Sequence, residues 1–366
     1  MDTTCRRWLG SLFTMLIIGA LATMHVVKAA PPRFARVTSD GMVTLPQDTG
    51  AHPDFRTEWW YATGWLTTLE GKPLGFQITF FRSATEHDRA NPSAFAPTQL
   101  IIAHAALSDP EVGKLLHDQK SARAGFGLAY AKVGNTDVAL DNWRLVRNPD
   151  GHYDVSVEAR DFTLKFALTP TQMPLLQGEH GYSRKGPLPA QASYYYSEPQ
   201  LRVSGTVTRA GREQPVTGTA WLDHEWSTSV LAKDASGWDW LGANLDDGGA
   251  LMGFQIRSRD GAKVWAHAVL RDADGKVTQF NQDQVSFSPQ RNWRSPRTGA
   301  SYPVQSMLRT GSLEWLLNPL QDDQELDSRQ STGSVYWEGG VTVSRAGKRA
   351  GRGYFELTGY VKPLKF

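Results

Sequence analysis

The sequence contains an internal repeat, and this feature limits the folds open to the chain more than any other. Five short blocks of the first half recur in the second half in the same order. Five matches in one order are not expected by chance, so we interpret the chain as a tandem duplication of roughly residues 52–226 and 235–360. The paired blocks are 75–78 and 253–256, 103–109 and 266–272, 142–144 and 292–294, 164–170 and 313–319, and 196–203 and 336–343. In this alignment Phe76 corresponds to Phe254, Glu198 to Glu338 and His224 to Gly359.

Most of each repeat is predicted to be β-strand. Apolar and polar residues alternate over 155–159, 162–168 and 201–204, which is typical of half-buried antiparallel strands. Asp-Gly pairs separate such runs at hairpin intervals. Residues 83–97 have no counterpart in the second copy and are predicted to form a surface loop. Antiparallel units of about 150 residues close into barrels or pack as sandwiches. We therefore predict an all-β chain of two tandem antiparallel β-barrels.

The N-terminus has the pattern of a signal peptide. Arg6 and Arg7 precede an apolar run over residues 8–22 that is too short to span a bilayer, and small residues around Ala29 form a cleavage signal. An anchor that is never cut is the alternative. We predict residues 1–29 as a signal peptide, 30–227 as an N-terminal barrel and 228–366 as a C-terminal barrel. The protein is then periplasmic or secreted.

Removal of residues 1–29 changes the chemistry that the chain can offer. Cys5 is the only cysteine, so the exported chain would have no disulfide, no thiolate metal site and no cysteine nucleophile. Equal numbers of basic and acidic residues, 36 of each, would remain. The neutral balance gives no electrostatic reason to expect nucleic-acid binding.

Aromatic and titratable residues concentrate in three motifs, at 58–65, 221–226 and 238–240. If 221–226 is a strand, His224 and Trp226 share one face, and Asp223 lies on the other. One interpretation is an aromatic-lined cavity with a titratable group near its floor. The other is that the tryptophans form barrel core and that the polar run is a hydrogen-bonded domain junction. The candidate ligand-binding residues are Trp59, Trp60, Trp65, Trp238 and Trp240.

Other catalytic templates are not found in the sequence. It has no Gly-x-Ser-x-Gly elbow, no phosphate-binding Gly-x-x-x-x-Gly-Lys loop and no His-Glu-x-x-His helix. The nine histidines show no ligand spacing, so we predict neither a metal site nor a cofactor. His104 and His267 occupy matching positions in the two copies, which favours a repeated structural role such as a hydrogen bond across each barrel.

Together, the motifs resemble the AttH-like / carotenoid 1,2-hydratase (hydroxyneurosporene synthase-like) family. The residues that carry the resemblance are 58–64, 221–226, 237–240, 336–339 and 351–360. The resemblance implies two lipocalin-like barrels, in agreement with the repeat. In the hydratases, a His-x-Trp pair and a later Tyr-x-Asp pair are implicated. His224 and Trp226 match the first pair, whereas no Tyr-x-Asp follows Trp226.

Two function classes follow. The first is a hydratase- or cyclase-type enzyme that protonates an isoprenoid-like C=C bond, with candidate catalytic residues His224, Trp226, Asp239 and Asp223. The second is a non-catalytic periplasmic accessory protein of an ABC-type export system. Both imply a large apolar ligand, such as an isoprenoid or lipid, in an aromatic-lined cavity. ABC transporter components are a predicted partner of the second class.

Overall fold

The computed structural model describes residues 34–364. The predicted signal peptide and Cys5 lie outside these residues, so export stays a prediction. Within the described range there is no α-helix, and one short 3₁₀ turn spans Gln47–Thr49. Consequently, no described helix is long and apolar enough to cross a membrane.

The chain forms two separate antiparallel sheets, of 13 and 10 strands. The strands of the first are β1 (Thr57–Thr68), β2 (Pro73–Ala84), β3 (Gln99–Ser108), β4 (Leu115–Arg123), β5 (Ala129–Ala131), β6 (Asp137–Leu140), β7 (Trp143–Arg147), β8 (Tyr153–Glu158), β9 (Phe162–Thr169), β10 (Leu175–Leu176), β11 (Tyr182–Arg184), β12 (Ala192–Arg209) and β13 (Arg212–Ser229). Those of the second are β14 (Ala235–Leu245), β15 (Ala250–Ser258), β16 (Lys263–Arg271), β17 (Val277–Phe280), β18 (Val285–Arg294), β19 (Ser301–Thr310), β20 (Leu313–Pro319), β21 (Glu325–Ser328), β22 (Ser334–Arg345) and β23 (Lys348–Leu357).

Strand order confirms the duplication. Neighbouring strands run β3-β2-β1-β13-β12-β9-β8-β7 in the first sheet and β16-β15-β14-β23-β22-β20-β19-β18 in the second. Each of these eight strands thus has a counterpart at the same place in the other sheet. The predicted all-β fold of two tandem lipocalin-like barrels is confirmed. We call the first sheet barrel one and the second barrel two; the predicted domain limits at 30–227 and 228–366 stay predictions.

Each sheet curls around its own apolar core. Trp60, Phe76 and Leu222 belong to the core of barrel one, and Leu317 and Phe355 to that of barrel two. The outer strands of barrel one approach each other, because the Lys120 ammonium on β4 donates to Asp141 and Asn142 in the turn between β6 and β7. Residues 85–98 form a mostly exposed loop between β2 and β3, where the sequence predicts one.

Strand pairing also corrects the residue alignment of the two copies. One continuous pattern of strand pairing, which we call the ladder, runs through both barrels. It agrees with the sequence matches of blocks 103–109 and 164–170 and of residues Leu201 and Val203. The match of Phe76 with Phe254 is wrong, since Phe76 lies inside barrel one and Phe254 outside barrel two. The strand pairing matches Phe76 with Leu251 instead, and this slip of three residues, an odd number, moves the side chain to the opposite face. The 142–144 match is wrong too, because those residues begin β7 whereas 292–294 end β18.

A β-bulge causes a second error of one residue. Pairing of β12 with β13 shifts between Glu198 and Leu201, where one extra residue is inserted. Upstream of the bulge the counterpart of Glu338 is therefore Ser197 and not Glu198. On the neighbouring strands Asp223 corresponds to Glu356, so His224 corresponds to Leu357 rather than to a glycine.

The barrels pack against each other through their outer faces. The Tyr61 hydroxyl donates to Glu338 Oε2 at 2.7 Å, and the Trp65 indole donates to the Gly353 carbonyl at 2.8 Å. His104 Nδ1 lies 2.9 Å from the Tyr336 hydroxyl. His104 thus makes its contact between the barrels and not across one barrel, and the Nε2 of His267 has no hydrogen-bond partner among the described residues. The two histidines share a position but not a role.

The alternation of inner and outer faces makes a prediction for neighbouring leucines on β20. Leu317 lies in the core of barrel two with none of its surface exposed, whereas Leu316 faces outward and is half-buried. We expect Leu317→Ala to lower the free energy of unfolding by about 2–5 kcal/mol and Leu316→Ala by at most about half of that. Urea denaturation measures both, and equal losses would contradict the assigned faces.

Candidate functional site

A cavity of about 110 Å³ lies between the barrels and is the strongest candidate for a functional site. Its wall consists of the outer faces of β1, β2 and β13 from barrel one and of β14, β15, β22 and β23 from barrel two. The lining residues are Thr57, Trp59, Tyr61, Thr79, Phe81, Lys185, Asp223, Glu225, Val230, Leu231, Trp238, Trp240, Phe254, Ile256, Tyr336, Glu338 and Glu356. Aromatic rings and carboxyl groups therefore face the same space.

The aromatic wall is built from equivalent positions of the two copies. The ladder pairs Trp59 with Trp238 and Tyr61 with Trp240, and all four line the cavity. The rings of Tyr61 and Trp240 meet edge to face, with centroids 5.3 Å apart. The Trp240 indole donates to the Tyr195 hydroxyl at 3.2 Å, so this ring is fixed in place.

Asp223 is a buried carboxyl held by three donors. The Tyr195 hydroxyl donates to Oδ2 at 2.8 Å, and the Trp221 indole donates to Oδ1 at 2.7 Å. The Ser197 hydroxyl also donates to Oδ1. Burial raises the pKa of Asp223 to about 7 despite these hydrogen bonds, because the ionised form loses its solvation. Asp223 thus accepts three hydrogen bonds, and burial favours its protonated form more than that of an exposed aspartate.

Glu338 and Glu356 form the most unusual pair in the cavity. They lie directly opposite each other on β22 and β23; Glu338 is fully buried and Glu356 is half-buried. Burial raises the pKa of Glu356 to about 7, and burial together with the facing Glu356 raises the pKa of Glu338 well above its usual value. Two facing carboxyl groups that are largely removed from water resist ionising together, so the pair favours a form that keeps a proton. Only one oxygen of Glu338 accepts a hydrogen bond, from Tyr61, and Oε1 has no partner among the described residues.

A buried ion pair completes the polar lining. Lys185 Nζ lies 3.1 Å from Glu225 Oε1. The ammonium also lies over the rings of Phe254 and Tyr195, at 4.2 and 4.6 Å from their centroids. Burial lowers the pKa of Lys185, while the charge of Glu225 opposes that shift. The pair therefore balances its own charge.

His224 and Trp226, two predicted catalytic residues, lie elsewhere. They point into the end of barrel one, on the face of β13 opposite Asp223, and neither lines the cavity between the barrels. His224 stacks on Trp60, with ring centroids 4.6 Å apart, and Trp226 stacks on His52 at 3.8 Å. His224 Nε2 is 2.9 Å from Glu58 Oε1. The predicted alternation therefore places His224 and Asp223 in two different environments.

Glu58 is the centre of this second cluster. It accepts hydrogen bonds from the Arg82 guanidinium at 2.7 Å and from the His52 backbone, and His52 Nδ1 lies 2.7 Å from Oε1. Burial by itself raises the pKa of Glu58, but His224, His52 and Arg82 outweigh it and hold the pKa well below its usual range. Burial lowers the pKa of His224 to about 4, so this imidazole is neutral at pH 7.

The ligand atoms of His52, Glu58 and His224 lie within 4.8 Å of one another, a spacing that suits a metal ion. The donor set fits a cation poorly, because the Arg82 guanidinium already occupies Glu58 and would repel a second positive charge. Barrel two has an ion pair on the equivalent strands, with Nε of Arg257, the counterpart of Arg82, 3.0 Å from Asp239 Oδ1. A structural role that closes the end of each barrel explains both. The absence of a metal site stays a prediction.

The remaining predicted site residues also lie in different environments. Trp59, Trp238 and Trp240 line the cavity, whereas Trp60 lies in the core of barrel one. Trp65 packs between the barrels and lines a different, polar cleft. Asp239 accepts hydrogen bonds from Arg257 and from the Tyr360 hydroxyl and does not line the cavity.

Sequence reasoning did not select Glu338, Glu356, Glu225 or Lys185. A signal for two of them was present. Glu338 and Glu356 both lie in segments that carry the family resemblance, each beside an aromatic residue. Two carboxyl groups within motifs of apolar and aromatic residues indicate buried acids, and a correct ladder would have brought them together.

Comparison with known proteins assigns the family. The sequence model of the AttH-like family matches residues 36–360. The chain belongs to the AttH-like family. A crystal structure assigned to AttH from Nitrosomonas europaea has 63% sequence identity and a TM-score of 0.85, with 90% of this chain and 100% of that chain covered.

A second solved structure has the same fold at low identity. Kievitone hydratase from Nectria haematococca is 14% identical, with a TM-score of 0.68 over 91% of this chain and 98% of its own. A comparison with curated proteins found no match. For this AttH-like protein, the arrangement of the site therefore has to indicate the chemistry.

The buried histidine at the end of barrel one makes a prediction for acid stability. The pKa of His224 is about 4 in the folded protein and 6.5 in its ordinary state, so unfolding takes up a proton between these values. Stability from this group is present above pH 6.5 and is lost as the pH falls towards about 4. We expect His224→Gln, which keeps a donor to Glu58, to reduce proton uptake on unfolding by about one. The slope of the unfolding free energy against pH measures this uptake, and an unchanged slope would show that His224 is not buried as a neutral group.

Proposed function

We propose that this AttH-like protein binds an apolar, alkene-bearing group in the cavity between its barrels and adds water to the C=C bond. The proton donor is Glu338, whose facing partner Glu356 keeps it protonated. The observation that carries the proposal is the pair of opposed carboxyl groups, of which Glu338 is fully buried, in an aromatic cavity. Such a pair supplies a neutral acid at the pH where an ordinary carboxyl group is ionised.

The free oxygen of Glu338 supports its role as the donor. Asp223 has three donors around it, and Glu225 is paired with Lys185. Among residues 34–364, Glu338 Oε1 has no hydrogen-bond partner, and Tyr61 fixes the other oxygen of the same carboxyl group. A positioned acid with one unused oxygen can reach a bound substrate without first breaking a protein hydrogen bond.

Hydration of a trisubstituted alkene uses the remaining features of the cavity. The π electrons of the C=C bond take the proton of Glu338, a C–H bond forms at the less substituted carbon, and a tertiary carbocation results. The faces of Trp59, Trp238 and Trp240 stabilise this cation. The oxygen of a water molecule then bonds to the cation, and the surplus proton returns to the Glu338 carboxylate. The acid is regenerated and no other reactant is consumed.

The volume of the cavity limits the group that reacts. About 110 Å³ is somewhat less than the roughly 150 Å³ of an engineered cavity that binds benzene. A prenyl terminus or a single ring suits this space, and the rest of a long isoprenoid would extend outside it. The proposed substrate is therefore recognised by its alkene end.

A carboxyl substitution tests the proposal. We expect Glu338→Gln to lower the turnover of a dimethylallyl-substituted phenol about 10²–10⁴-fold, because the amide has no acidic proton. Binding of the phenol should stay within about threefold of wild type, since glutamine retains the shape of the side chain. Mass spectrometry detects the product as substrate plus one water, and tryptophan fluorescence reports binding.

Glu198→Gln is the matched control. Glu198 is also buried, is bonded to the Tyr153 hydroxyl and lies on the corresponding strand β12, but it does not line the cavity. Turnover by this variant should equal that of wild type. Equal loss in both variants would rule out Glu338 as the donor. Binding by wild type without any turnover would instead favour the carrier hypothesis and overturn the enzyme proposal.

A further inference from the structure

A second, larger space opens beside the cavity and continues from it. This space, about 830 Å³, is lined by residues from the β13–β14 connection, the start of β1 and the C-terminal segment. Thr57, Val230 and Leu231 line both spaces, so the two meet at these side chains. The C-terminal segment is held in place, because the Leu364 backbone donates to the Ser236 carbonyl at 2.9 Å.

The larger space is basic. Arg56, Lys233, Arg259 and Lys362 line it, and its lining contains no aspartate or glutamate. We call it the basic groove. Arg56 lies 3.7 Å from Glu86 in a pair that is largely exposed to solvent. Among residues 34–364, the other three cations have no carboxylate within ion-pair distance, although the described chain holds many such pairs. Three cations without an acidic partner in one groove indicate a site for an anion.

The charges of the two spaces are opposite, and this fixes the direction of a ligand. The cavity between the barrels holds Asp223, Glu225, Glu338 and Glu356 against a single lysine. A negative group in the cavity would lose its solvation and would meet carboxyl groups, while the one lysine there is already paired with Glu225. The same negative group in the basic groove would meet cations and remain in contact with water.

We propose that the ligand is an amphiphile with an anionic head, a carboxylate or a phosphate. The head is bound in the basic groove, and the apolar chain passes Leu231 into the cavity. The position of the chain rests on the proposed function, whereas the position of the head rests on the groove alone. The arrangement accounts for the small cavity, since only the far end of the chain has to enter it. It also identifies Lys233 and Arg259 as specificity-determining residues.

Three ligands with one tail test the head group. Farnesoic acid, farnesyl phosphate and farnesol share the isoprenoid chain and differ only in their charge. We expect the full-length protein to bind the two anions at least about tenfold more tightly than farnesol, as followed by calorimetry. A larger gain for the phosphate than for the carboxylate identifies a phosphate head, and the reverse identifies an acid.

Charge removal gives the decisive comparison. Lys233→Gln combined with Arg259→Gln should abolish the preference for the anions and leave the affinity for farnesol within about twofold. The matched control is Lys276→Gln combined with Arg294→Gln, which removes the same net charge from exposed positions outside the groove. Equal binding of the three ligands by wild type, or an equal loss of preference in the control, would overturn the proposal.

Two further experiments distinguish this inference from the proposed function. Trp59→Ala should weaken all three ligands; if it weakens none while the preference for anions persists, the cavity is not the tail site and the head site stands. If no ligand binds, both proposals fail. Vesicles of anionic phospholipid are also tested against vesicles of neutral phospholipid. Vesicle binding that needs Lys233 and Arg259, with equal binding of the three ligands, would make the groove a membrane surface and overturn the inference.

Discussion

Burial of both faces of the central strands is the constraint on which the rest of the structure depends. Strands β1 and β14 are buried over most of their length, and β13 is buried over residues 220–227. In these stretches both the residues that face a barrel core and those that face the other barrel are buried. Their outer faces carry Trp59, Tyr61, Trp221, Trp238 and Trp240, which water would solvate poorly. Neither barrel can satisfy these faces alone, so the two pack together, and the imperfect fit between them leaves the cavity.

The same burial explains the electrostatics of the site. A carboxyl group on an outer face is removed from water by the opposite barrel, and its neutral form becomes the stable one. Asp223 and Glu356 are equivalent in the two copies, and the pKa of each rises to about 7. Glu58, at the end of barrel one, behaves in the opposite way. Glu58 is equally buried, but Arg82 and two histidines keep it ionised. Paired charges hold each barrel closed, whereas the groups without such partners carry the candidate chemistry.

The sequence was sufficient for the fold because repeats and alternation are local patterns. The predicted barrels and the separate faces of His224 and Asp223 follow from side-chain periodicity alone. The residue alignment of the two copies was wrong where a strand contains an extra residue. The bulge after Glu198 shifts β12 by one position, and the sequence therefore did not show that Ser197 is equivalent to Glu338. The acid pair could not be predicted for a similar reason. Glu338 and Glu356 meet only through the pairing of β22 with β23, and both reach a cavity that exists only when the two barrels are joined.

The duplication also explains why the proton donor belongs to one copy. In barrel one, the position beside Asp223 is Ser197, whose hydroxyl donates to the carboxylate and stabilises its charge. In barrel two, the equivalent position beside Glu356 is Glu338, a second acid that disfavours charge. A single difference between the copies therefore gives a carboxyl group that accepts a hydrogen bond from serine in barrel one. In barrel two it gives a pair of carboxyl groups that retains a proton. In the sequence alignment, the polar difference between the copies that drew attention was His224 against Gly359. The difference that bears on the cavity lies one strand away, at Ser197 and Glu338.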